Sequence, residues 1–391
     1  MNDMYSIILY TLLTILSISL FIEITHYLLY GTIILLRNYK SKKRHQTETT
    51  PATAPLPPVS VIICAKNESE NIKNFLPLVL EQTYPDYEVI VVNDGSVDDT
   101  SDILLNLQHL YPHLYFTFVP EQTQIISHKK LAITIGIKAA KNDLLIFTDA
   151  DCRPWTPHWI EEMVRSYTTS TEYVIGYGAY YRTGKKTTST LIAYDTLSIA
   201  LQYLGLAITG HPYMGVGRNM SYKKSTFMAN KGFAGHLHIP SGDDDLLINR
   251  YANRYNTAVN TTLNAKTISV PENTFSDWYY QKKRHLSAST AYTTKSKALI
   301  IVEPIARCLF WLSTIAIAAL FHSDITILVA TIAVFVLKYL IQSSIINLLV
   351  HNYNERKFNP LTIIWLDVAI PVVELYITTI GRLFHRQIRW K

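Results

Sequence analysis

Long apolar segments lie near both ends of the chain. Residues 6–36 carry few polar side chains, and this run exceeds the roughly 20 residues that a helix needs to cross a bilayer. Three more apolar runs follow near the other end, at 298–321, 325–350 and 361–380. Only three residues separate the first two of these runs, which predicts a helical hairpin. We therefore expect a transmembrane anchor over residues 1–36 and a membrane region of two or three helices over residues 298–391.

The last apolar run leaves two interpretations open. It contains Asp367, Pro371 and Glu374, and a basic tail follows it. If the run crossed the bilayer, that tail would lie outside, against the tendency of basic segments to stay in the cytoplasm. The run is therefore either a span packed within a helix bundle or a helix that lies in the membrane interface.

A basic segment directly follows the first apolar run. Residues 37–45 contain five Lys or Arg, which places that side of the membrane in the cytoplasm. We expect a basic and Pro-rich linker over residues 37–58 and a cytoplasmic domain over residues 59–290. The expected location is the inner, cytoplasmic membrane, which the chain would cross more than once.

Short apolar runs alternate with helical patterns between the membrane segments. Runs rich in β-branched and aromatic residues lie at 59–65, 87–93, 114–120 and 144–148. Capping boxes that start at Asn67 and Ser96 predict helices near 68–82 and 97–110. This alternation predicts an α/β fold with a mostly parallel sheet that helices cover on both faces.

Carboxylates follow three of the predicted strands. Ligands of parallel sheets bind beyond the carboxyl ends of the strands, where Glu68, Asp94 and Asp149 lie in this sequence. Asp151 lies two positions after Asp149, so both side chains would face the same way in extended structure. Two such carboxylates suit a divalent cation such as Mg²⁺ or Mn²⁺. An Asx-type turn that ends the strand is the alternative.

Charge and cysteine content narrow the class of protein. The net charge of +6 is concentrated beside the membrane segments, which favours contact with anionic membrane lipid over contact with nucleic acid. Three cysteines cannot form a disulfide framework and fit a reducing compartment. Composition therefore agrees with a membrane protein whose domain faces the cytoplasm.

Four motifs in one order resemble a known family. They are "VIICAKNESENIKNFLPLVLEQTYPDYEVIVVNDGSVDDT", "HKKLAITIGIKAAKNDLLIFTDADCRP", "GDDDLLINR" and "QKKRH". Over roughly residues 59–290 they are similar to the membrane-bound inverting glycosyltransferases of family 2, the class of cellulose, chitin and hyaluronan synthases. The resemblance implies a nucleotide-sugar-binding domain of the glycosyltransferase A type.

The resemblance also implies roles for residues of a donor site. Asp94 and Glu68 would hold the base and the ribose of the nucleotide. Lys129 would lie near the diphosphate, Asp151 would hold Mg²⁺ or Mn²⁺, and Asp149 would contact the ribose or the donor sugar. From the residues alone, Lys129 could equally be a solvated lysine at a helix start, and Glu68 a favourable charge in a first helical turn.

Two motifs resemble the catalytic and acceptor side of the same family. In "GDDDLLINR" the second acidic residue, Asp244, would be the general base, although acids at the start of a helix are also expected from the helix dipole. "QKKRH" resembles a Q-x-x-R-W motif, with Gln281 and Arg284 on one helical face. His285 replaces the tryptophan of that motif, which argues against a long, processive polymer product.

Two further segments are assigned by the same resemblance. Residues 216–222 are similar to an acceptor-side strand of these enzymes. Residues 190–208 are similar to an interfacial helix that docks the domain on the bilayer, and an ordinary core helix is the alternative.

The sequence therefore leads to one expected function and two alternatives. We expect an integral-membrane inverting glycosyltransferase that moves a sugar, expected from a UDP-sugar, to a hydroxyl acceptor that is lipid-linked or part of a glycan. Its products would serve cell-envelope glycan or glycolipid synthesis. The alternatives are a polyprenyl-phosphate sugar transferase, whose ionised acceptor needs no general base, and a non-catalytic scaffold derived from a transferase.

Overall fold

The computed structural model describes residues 2–47, 56–120, 127–182 and 187–379. The helices are α1 (Asn2–Thr47), α2 (Ser69–Leu80), α3 (Thr100–Leu110), α4 (His128–Ala139), α5 (Trp159–Val164), α6 (Thr187–Ile208), α7 (Lys224–Ala229), α8 (Asp245–Tyr251), α9 (Phe275–Ser289), α10 (Thr294–Leu320), α11 (Ile325–Asn352) and α12 (Pro360–Thr378). The strands are β1 (Val59–Ala65), β2 (Tyr87–Asn93), β3 (Leu114–Phe118), β4 (Leu144–Asp149), β5 (Cys152–Pro154), β6 (Tyr173–Gly176), β7 (Gly178–Tyr180), β8 (Met220–Lys223), β9 (Thr257–Asn260) and β10 (Thr267–Ser269).

Seven strands form the main sheet, in the order β3-β2-β1-β4-β8-β6-β9. Strands β1 to β4 pair in parallel, as do β6 and β9, whereas β8 is antiparallel to both of its neighbours. This confirms the predicted α/β fold with a mostly parallel sheet. Cys64 of β1 lies opposite Asp149 of β4, and Ala65 lies opposite Asn93 of β2. The carboxyl ends of three strands therefore meet at one edge of the sheet.

A smaller sheet of three strands, in the order β5-β10-β7, lies beside that edge. Two residues separate the end of β4 from the start of β5, which pairs antiparallel with β10, so that Cys152 lies opposite Ser269. Ser269 in turn lies opposite Tyr180 of β7. The chain thus runs from Asp149 and Asp151 into the small sheet, and this sheet places β7 beside the same two aspartates.

The two predicted capping boxes are wrong. Helix α2 starts at Ser69 and α3 at Thr100, and neither has a side-chain bond from its own N-cap residue. Instead, the Asp98 carboxylate accepts hydrogen bonds from the N–H of Ser69 (3.0 Å) and the N–H of Thr100 (3.2 Å), while the Asn67 side chain accepts from the N–H of Val97 (2.9 Å). The loop before α3 therefore caps both helices, and a search for spacing within one segment does not detect its bond to α2.

Alternating positions of the central strands build two apolar clusters. Val59, Val61 and Ile63 pack on one face of the sheet with helices such as α2 and α5. Ile62 and Cys64 pack on the opposite face, in a cluster that continues into the long apolar helices. Because both faces of a central parallel strand are covered, all seven residues of β1 are buried. The same core therefore supports the site and joins it to the membrane segments.

Five helices in the described part of the chain are long and apolar enough to cross a membrane. They are α1, α6, α10, α11 and α12. Protein covers 72% of the apolar window of α6 but only 17% of that of α1, so α6 packs mainly against protein. Gly205 of α6 contacts Tyr30 of α1 so closely that a Cβ atom would overlap the ring. Helix α6 therefore lies between α1 and the α/β domain.

Helix α1 extends beyond the predicted anchor. Residues 37–47, the first part of the predicted linker, continue α1 as a helix, and residues 48–55 lie outside the described ranges. Lys and Arg favour helices, so this basic segment can extend the helix that precedes it. The Arg37 side chain donates to the carbonyl of Val259 (3.3 Å), and the hydroxyl of Thr261 donates to Asn38 (2.5 Å). Helix α1 thus contacts the α/β domain directly.

Both ends of α12 contact parts of the α/β domain. Just before its first turn, Phe358 lies under the Arg182 guanidinium, 4.3 Å from its ring centre. In its last two turns, Glu374 pairs with Lys282 of α9 at 2.8 Å. The helix between these contacts carries Asp367, which is fully buried. The basic tail that follows residue 379 lies outside the described residues.

Candidate active site

Two carboxylates and a thiol lie together where β4 ends. Ligand atoms of Asp149, Asp151 and Cys152 all lie within 4.8 Å of one another. The Cys152 sulfur is buried and lies 2.7 Å from the hydroxyl oxygen of Ser269, and burial raises the pKa of the thiol. A thiol that keeps its proton is a poor metal ligand, which leaves two oxygen donors. This donor set fits Mg²⁺ or Mn²⁺ better than a metal that prefers sulfur.

The electrostatics of the two aspartates differ. Burial, and then the neighbouring Asp149 charge, raise the pKa of Asp151 to about 6. Burial would also raise the pKa of Asp149, but the attraction of the Lys129 ammonium outweighs it and lowers that pKa. Asp149 thus forms a direct ion pair with a protein cation, whereas Asp151 forms none with the residues that the structure describes and feels Arg218 and Lys129 only from a distance. A divalent cation would supply the missing positive charge at Asp151.

Lys129 connects two acidic motifs. Helix α4 starts at His128, and the Ser127 side chain caps it by accepting from the N–H of Lys130. In the first turn the Lys129 ammonium lies 3.0 Å from Asp149 Oδ1 and 3.5 Å from Asp243 Oδ2. The predicted lysine of "HKK" therefore lies between the two acidic motifs, and its side chain is only 21% exposed.

The other two predicted donor residues lie at the ends of β1 and β2. Asp94 is buried and pairs with His128 (3.2 Å) and Lys66 (3.6 Å). Glu68 accepts a hydrogen bond from the Asn71 amide at 2.6 Å. Burial is the main reason why the pKa of Glu68 rises to about 7, and the charges of Asp151 and Asp149 add to this effect. Glu68 is therefore close enough to these two aspartates to interact with them.

The three aspartates of "GDDDLL" have different surroundings. Gly242 has a φ of +80°, which suits glycine and turns the chain just before the motif. Asp244 accepts from the N–H of Gly217 (2.6 Å) and from the N–H of Asp245 (2.8 Å). Asp245 points elsewhere, because its carboxylate accepts from the Tyr292 hydroxyl (2.6 Å). Burial, followed by the nearby Asp243 charge, raises the pKa of Asp244.

Residues of both acidic motifs line one small cavity. Lys129, Asp149, Asp243, Asp244 and Gly217 all contribute to a space of about 20 Å³, the volume of roughly one water molecule. The structure therefore brings together residues that are up to 115 positions apart in the chain. Their arrangement offers a cation and several carboxylates to one reacting group.

Gln281 is connected to the site by its contact with Tyr180. The Gln281 amide donates to the Tyr180 hydroxyl at 3.3 Å, and the Arg218 guanidinium donates to the same oxygen at 2.9 Å. Arg218 also lies over the Tyr180 ring, 4.4 Å from its centre. These three side chains therefore form one contact between α9, the small sheet and the turn before β8.

Arg284 contributes positive charge to the site. Its guanidinium helps to lower the pKa of Asp149. It also repels the Lys129 ammonium, which acts to lower the pKa of Lys129. Its carbonyl accepts from the Ser241 hydroxyl at 3.1 Å, which ties α9 to the segment before the three aspartates. His285, the residue at the tryptophan position of the motif, is exposed.

Sequence reasoning did not single out three residues of this site. They are Tyr180, Arg218 and Asp243. Arg218 lies within the segment 216–222, but β8 starts only at Met220, so Arg218 belongs to a turn and not to the expected strand. The polar pattern "GRN" was a usable signal. The sequence contained no such signal for Tyr180, because only the pairing of β7 with β10 places this residue at the site.

The α/β domain resembles glycosyltransferases of the A type in its fold. The model of the family described as "Glycosyl transferase family 2" matches residues 60–228, so this segment is similar to that family. The sheet agrees with the solved mannosyltransferase PcManGT from Pyrobaculum calidifontis, described in complex with GDP-Man and Mn²⁺. The TM-score is 0.56 at 18% identity, covering 94% of this chain and 99% of that chain, which shows a shared fold.

Curated relatives are similar over shorter segments. Glycosyltransferase AglE of Haloferax volcanii is 40% identical over 114 residues, which are 29% of this chain and 36% of that protein. The poly-beta-1,6-N-acetyl-D-glucosamine synthase of Staphylococcus epidermidis is 33% identical over 93 residues, 24% of this chain and 21% of that protein. The chain thus spans about a third or less of the length of these relatives.

Proposed function

We propose that this protein is an integral-membrane inverting glycosyltransferase that moves a sugar from a nucleoside diphosphate to a hydroxyl acceptor. The observation that carries the proposal is the cavity in which Lys129 joins Asp149 to Asp243, beside Asp244. The match to the family 2 model supports it, as do the relatives that are named a glycosyltransferase and a poly-beta-1,6-N-acetyl-D-glucosamine synthase. Its product would enter cell-envelope glycan or glycolipid synthesis.

The donor would bind at the carboxyl ends of β1, β2 and β4. Asp94 and Glu68 would hold the base and ribose, and Asp149 the ribose or sugar. Asp151 would hold Mg²⁺ or Mn²⁺, which when bound offsets negative charge on the diphosphate. Lys129 lies where it would contact the same diphosphate. The solved mannosyltransferase is described with GDP-Man, so a donor panel should include guanosine as well as uridine nucleotides.

Asp244 would act as general base on the acceptor. The acceptor hydroxyl is a weak nucleophile, and a carboxylate that takes its proton lets the oxygen attack the anomeric carbon. The new C–O bond forms as the bond to the diphosphate breaks, and the nucleoside diphosphate leaves from the opposite face. The proton stays on Asp244. Backbone N–H groups of Gly217 and Asp245 orient this carboxylate, and burial raises its pKa, which makes it a stronger base than an exposed aspartate.

Gln281 and Arg284 would serve the acceptor side and the developing charge. Arg284 lies close enough to affect the pKa of Asp149, so its guanidinium would stabilise the leaving diphosphate together with Lys129. Gln281 would hold Tyr180 at the edge of the acceptor space. The exposed His285 leaves this edge without the large apolar ring of the family motif, which favours a short product.

The proposed topology places residues 59–290 and both ends of α12 in the cytoplasm. Because Phe358 and Glu374 at opposite ends of α12 both contact the α/β domain, a helix between them would lie along the interface and not cross the bilayer. Protein covers α6 on the same side. A reporter fused after Lys391 should therefore behave as cytoplasmic, and a reporter detected outside the cell would refute this arrangement.

The test of the proposed reaction compares two neighbouring aspartates. Asp244→Asn keeps size and hydrogen bonding but removes the base, so transfer should fall by about 10² to 10⁴-fold while nucleotide binding survives. Asp245→Asn is the matched control and should lose much less. Transfer by purified protein would be measured with a panel of nucleotide sugars in the presence of Mn²⁺.

The same variants separate the alternatives. A polyprenyl-phosphate sugar transferase would use an ionised acceptor, so its Asp244→Asn variant would keep most of the activity. A scaffold would show no transfer even as the wild type, with any donor. A larger loss in Asp245→Asn than in Asp244→Asn would show that the register of the base is wrong.

A further inference from the structure

Helix α9 has a second charged contact on the side away from the donor site. The Lys282 ammonium lies 2.7 Å and 2.9 Å from the two carboxylate oxygens of Asp195 and 2.8 Å from Glu374. Lys282 is 5% exposed and Asp195 is 6% exposed, so this ion pair is buried. A lysine within the "QKKRH" motif is thus occupied by carboxylates of two other helices.

The geometry of α9 separates this contact from the active site. Successive residues of an α-helix are about 100° apart, so Lys282 projects about 160° away from Arg284 and about 100° away from Gln281. Arg284 affects the pKa of Asp149, and Gln281 contacts Tyr180. The helix therefore presents two site residues on one side and is held by Lys282 on the other.

The partners of Lys282 lie on the helices that join the domain to the membrane region. Asp195 belongs to α6, and it also accepts a hydrogen bond from Trp278, one turn before Lys282 on α9. Glu374 belongs to α12. The rings of Tyr279 and Tyr376 add a contact between α9 and α12, with their centres 6.2 Å apart. These contacts fix α9 at two points along its length.

We infer that Lys282 is a positioning residue, which with Asp195 and Glu374 clamps α9 onto α6 and α12 and thereby sets the place of Arg284 and Gln281. The inference rests on the proposed function, because Arg284 is taken to act on the leaving diphosphate. A cation in a fixed buried pair holds a helix in register more strictly than apolar contacts, which tolerate rotation and sliding. The clamp would link the membrane-facing helices to the geometry of the reaction.

The first test is kinetic and uses the full chain in detergent. Lys282→Met should lower kcat by on the order of 10²-fold, since small misplacements of a catalytic group have that effect, while nucleoside diphosphate affinity stays within about twofold. Lys282→Arg keeps both ion pairs and should restore most of the rate. Lys283→Met removes the same charge at the next position of the motif and should leave the rate near that of the wild type.

A double-mutant cycle separates positioning from general stability. If Lys282 acts through Arg284, adding Lys282→Met to Arg284→Ala should cause little further loss. Fully additive losses would overturn the inference. If Lys282→Met does not fold, Glu374→Gln removes one partner and keeps the pair with Asp195, and it should show the same non-additivity at a smaller amplitude. An unchanged kcat in both Lys282→Met and Glu374→Gln would also overturn it.

Amide hydrogen exchange tests the clamp without any activity. Exchange in the α9 segment should be faster in Lys282→Met than in the wild type and in Lys283→Met, because the helix loses its hold on α6 and α12. Unchanged exchange in α9 would refute the clamp even if the transferase were inactive. Failure of the proposed function would instead appear in the wild type, as the absence of transfer with every donor.

Discussion

Two lysines of this protein each lie between two carboxylates, but in different surroundings. Lys129 contacts Asp149 and Asp243 and lies on a cavity, with 21% of its side chain exposed. Lys338 contacts Asp367 (2.7 Å) and Glu23 (3.3 Å), with 1% of its side chain exposed. The chemistry of the two groups is nearly the same. What differs is whether another molecule can reach them.

The difference shows which buried charges serve the fold and which serve a reaction. Asp367 also accepts from Tyr339 (2.7 Å) and from Gln342 (2.9 Å), so its oxygens are satisfied within the helices. At the open site Asp151 forms no direct ion pair with a described residue, so a bound cation could balance its charge. Enclosed pairs fix helices in place, whereas an open set with surplus carboxylate binds a cation or a substrate.

The largest expected effect comes from replacing each of the two lysines in turn, which tests whether the two sites differ. Lys338→Met leaves Glu23 without its ion pair and leaves Asp367 with only the longer contact to Arg307 (3.6 Å), so unfolding should become easier by about 3–5 kcal/mol. Lys129→Met leaves Asp149, whose side chain is 30% exposed, open to solvent, so it should lower the melting temperature less than Lys338→Met, while transfer falls by about 10² to 10³-fold. Thermal denaturation in detergent and transfer assays on both variants check this. Equal losses of stability would show that the two sites are not different in kind.

A smaller effect concerns the response to metal. Mn²⁺ at about 100 times its dissociation constant should stabilise the wild type by about 2.7 kcal/mol, because it binds only the folded protein. Asp151→Ala should abolish this rise in melting temperature. Asp367→Asn, which changes one carboxylate of the enclosed cluster, should lower the melting temperature but keep the response to Mn²⁺. A full response in Asp151→Ala would place the cation elsewhere.

A third effect, which is spread over several pH units, concerns Asp245, which lies beside the open site but is enclosed. Burial, and then the Asp244 charge, raise the pKa of Asp245 from 3.8 to about 8. The folded state therefore holds this proton more tightly than the unfolded state, and stability falls as the pH rises from about 4 to 8, by at most about 1.4 kcal/mol per unit. Asp245→Asn should remove this slope.

Melting curves at pH 5.5 and pH 8 test this expectation. The wild type should lose stability between these values relative to Asp245→Asn, which keeps an acceptor for the Tyr292 hydroxyl. Identical pH dependence in both proteins would show that Asp245 is ionised in the folded state, as a site residue open to solvent would be.

Much of the α/β fold and of the candidate site was predictable from local pattern. Strands β1 and β2 have the predicted bounds, because buried strands are continuous apolar runs that turn residues end. The carboxylates at their ends follow from the same rule, since ligands meet the carboxyl edge of parallel strands. The helix starts were not predictable in detail, because Asp98 of one loop caps the other loop's helix.

The sequence by itself determined that the chain has apolar segments at both ends, an α/β domain between them and acidic motifs at the edge of its sheet. These features depend on the periodicity and chemistry of neighbouring residues. Tertiary structure alone decided that Lys129 lies between Asp149 and Asp243, that Arg218 and Tyr180 join the site, and that α12 contacts the domain at both ends. Such pairings depend on how distant segments pack, and local pattern carries no information about that distance.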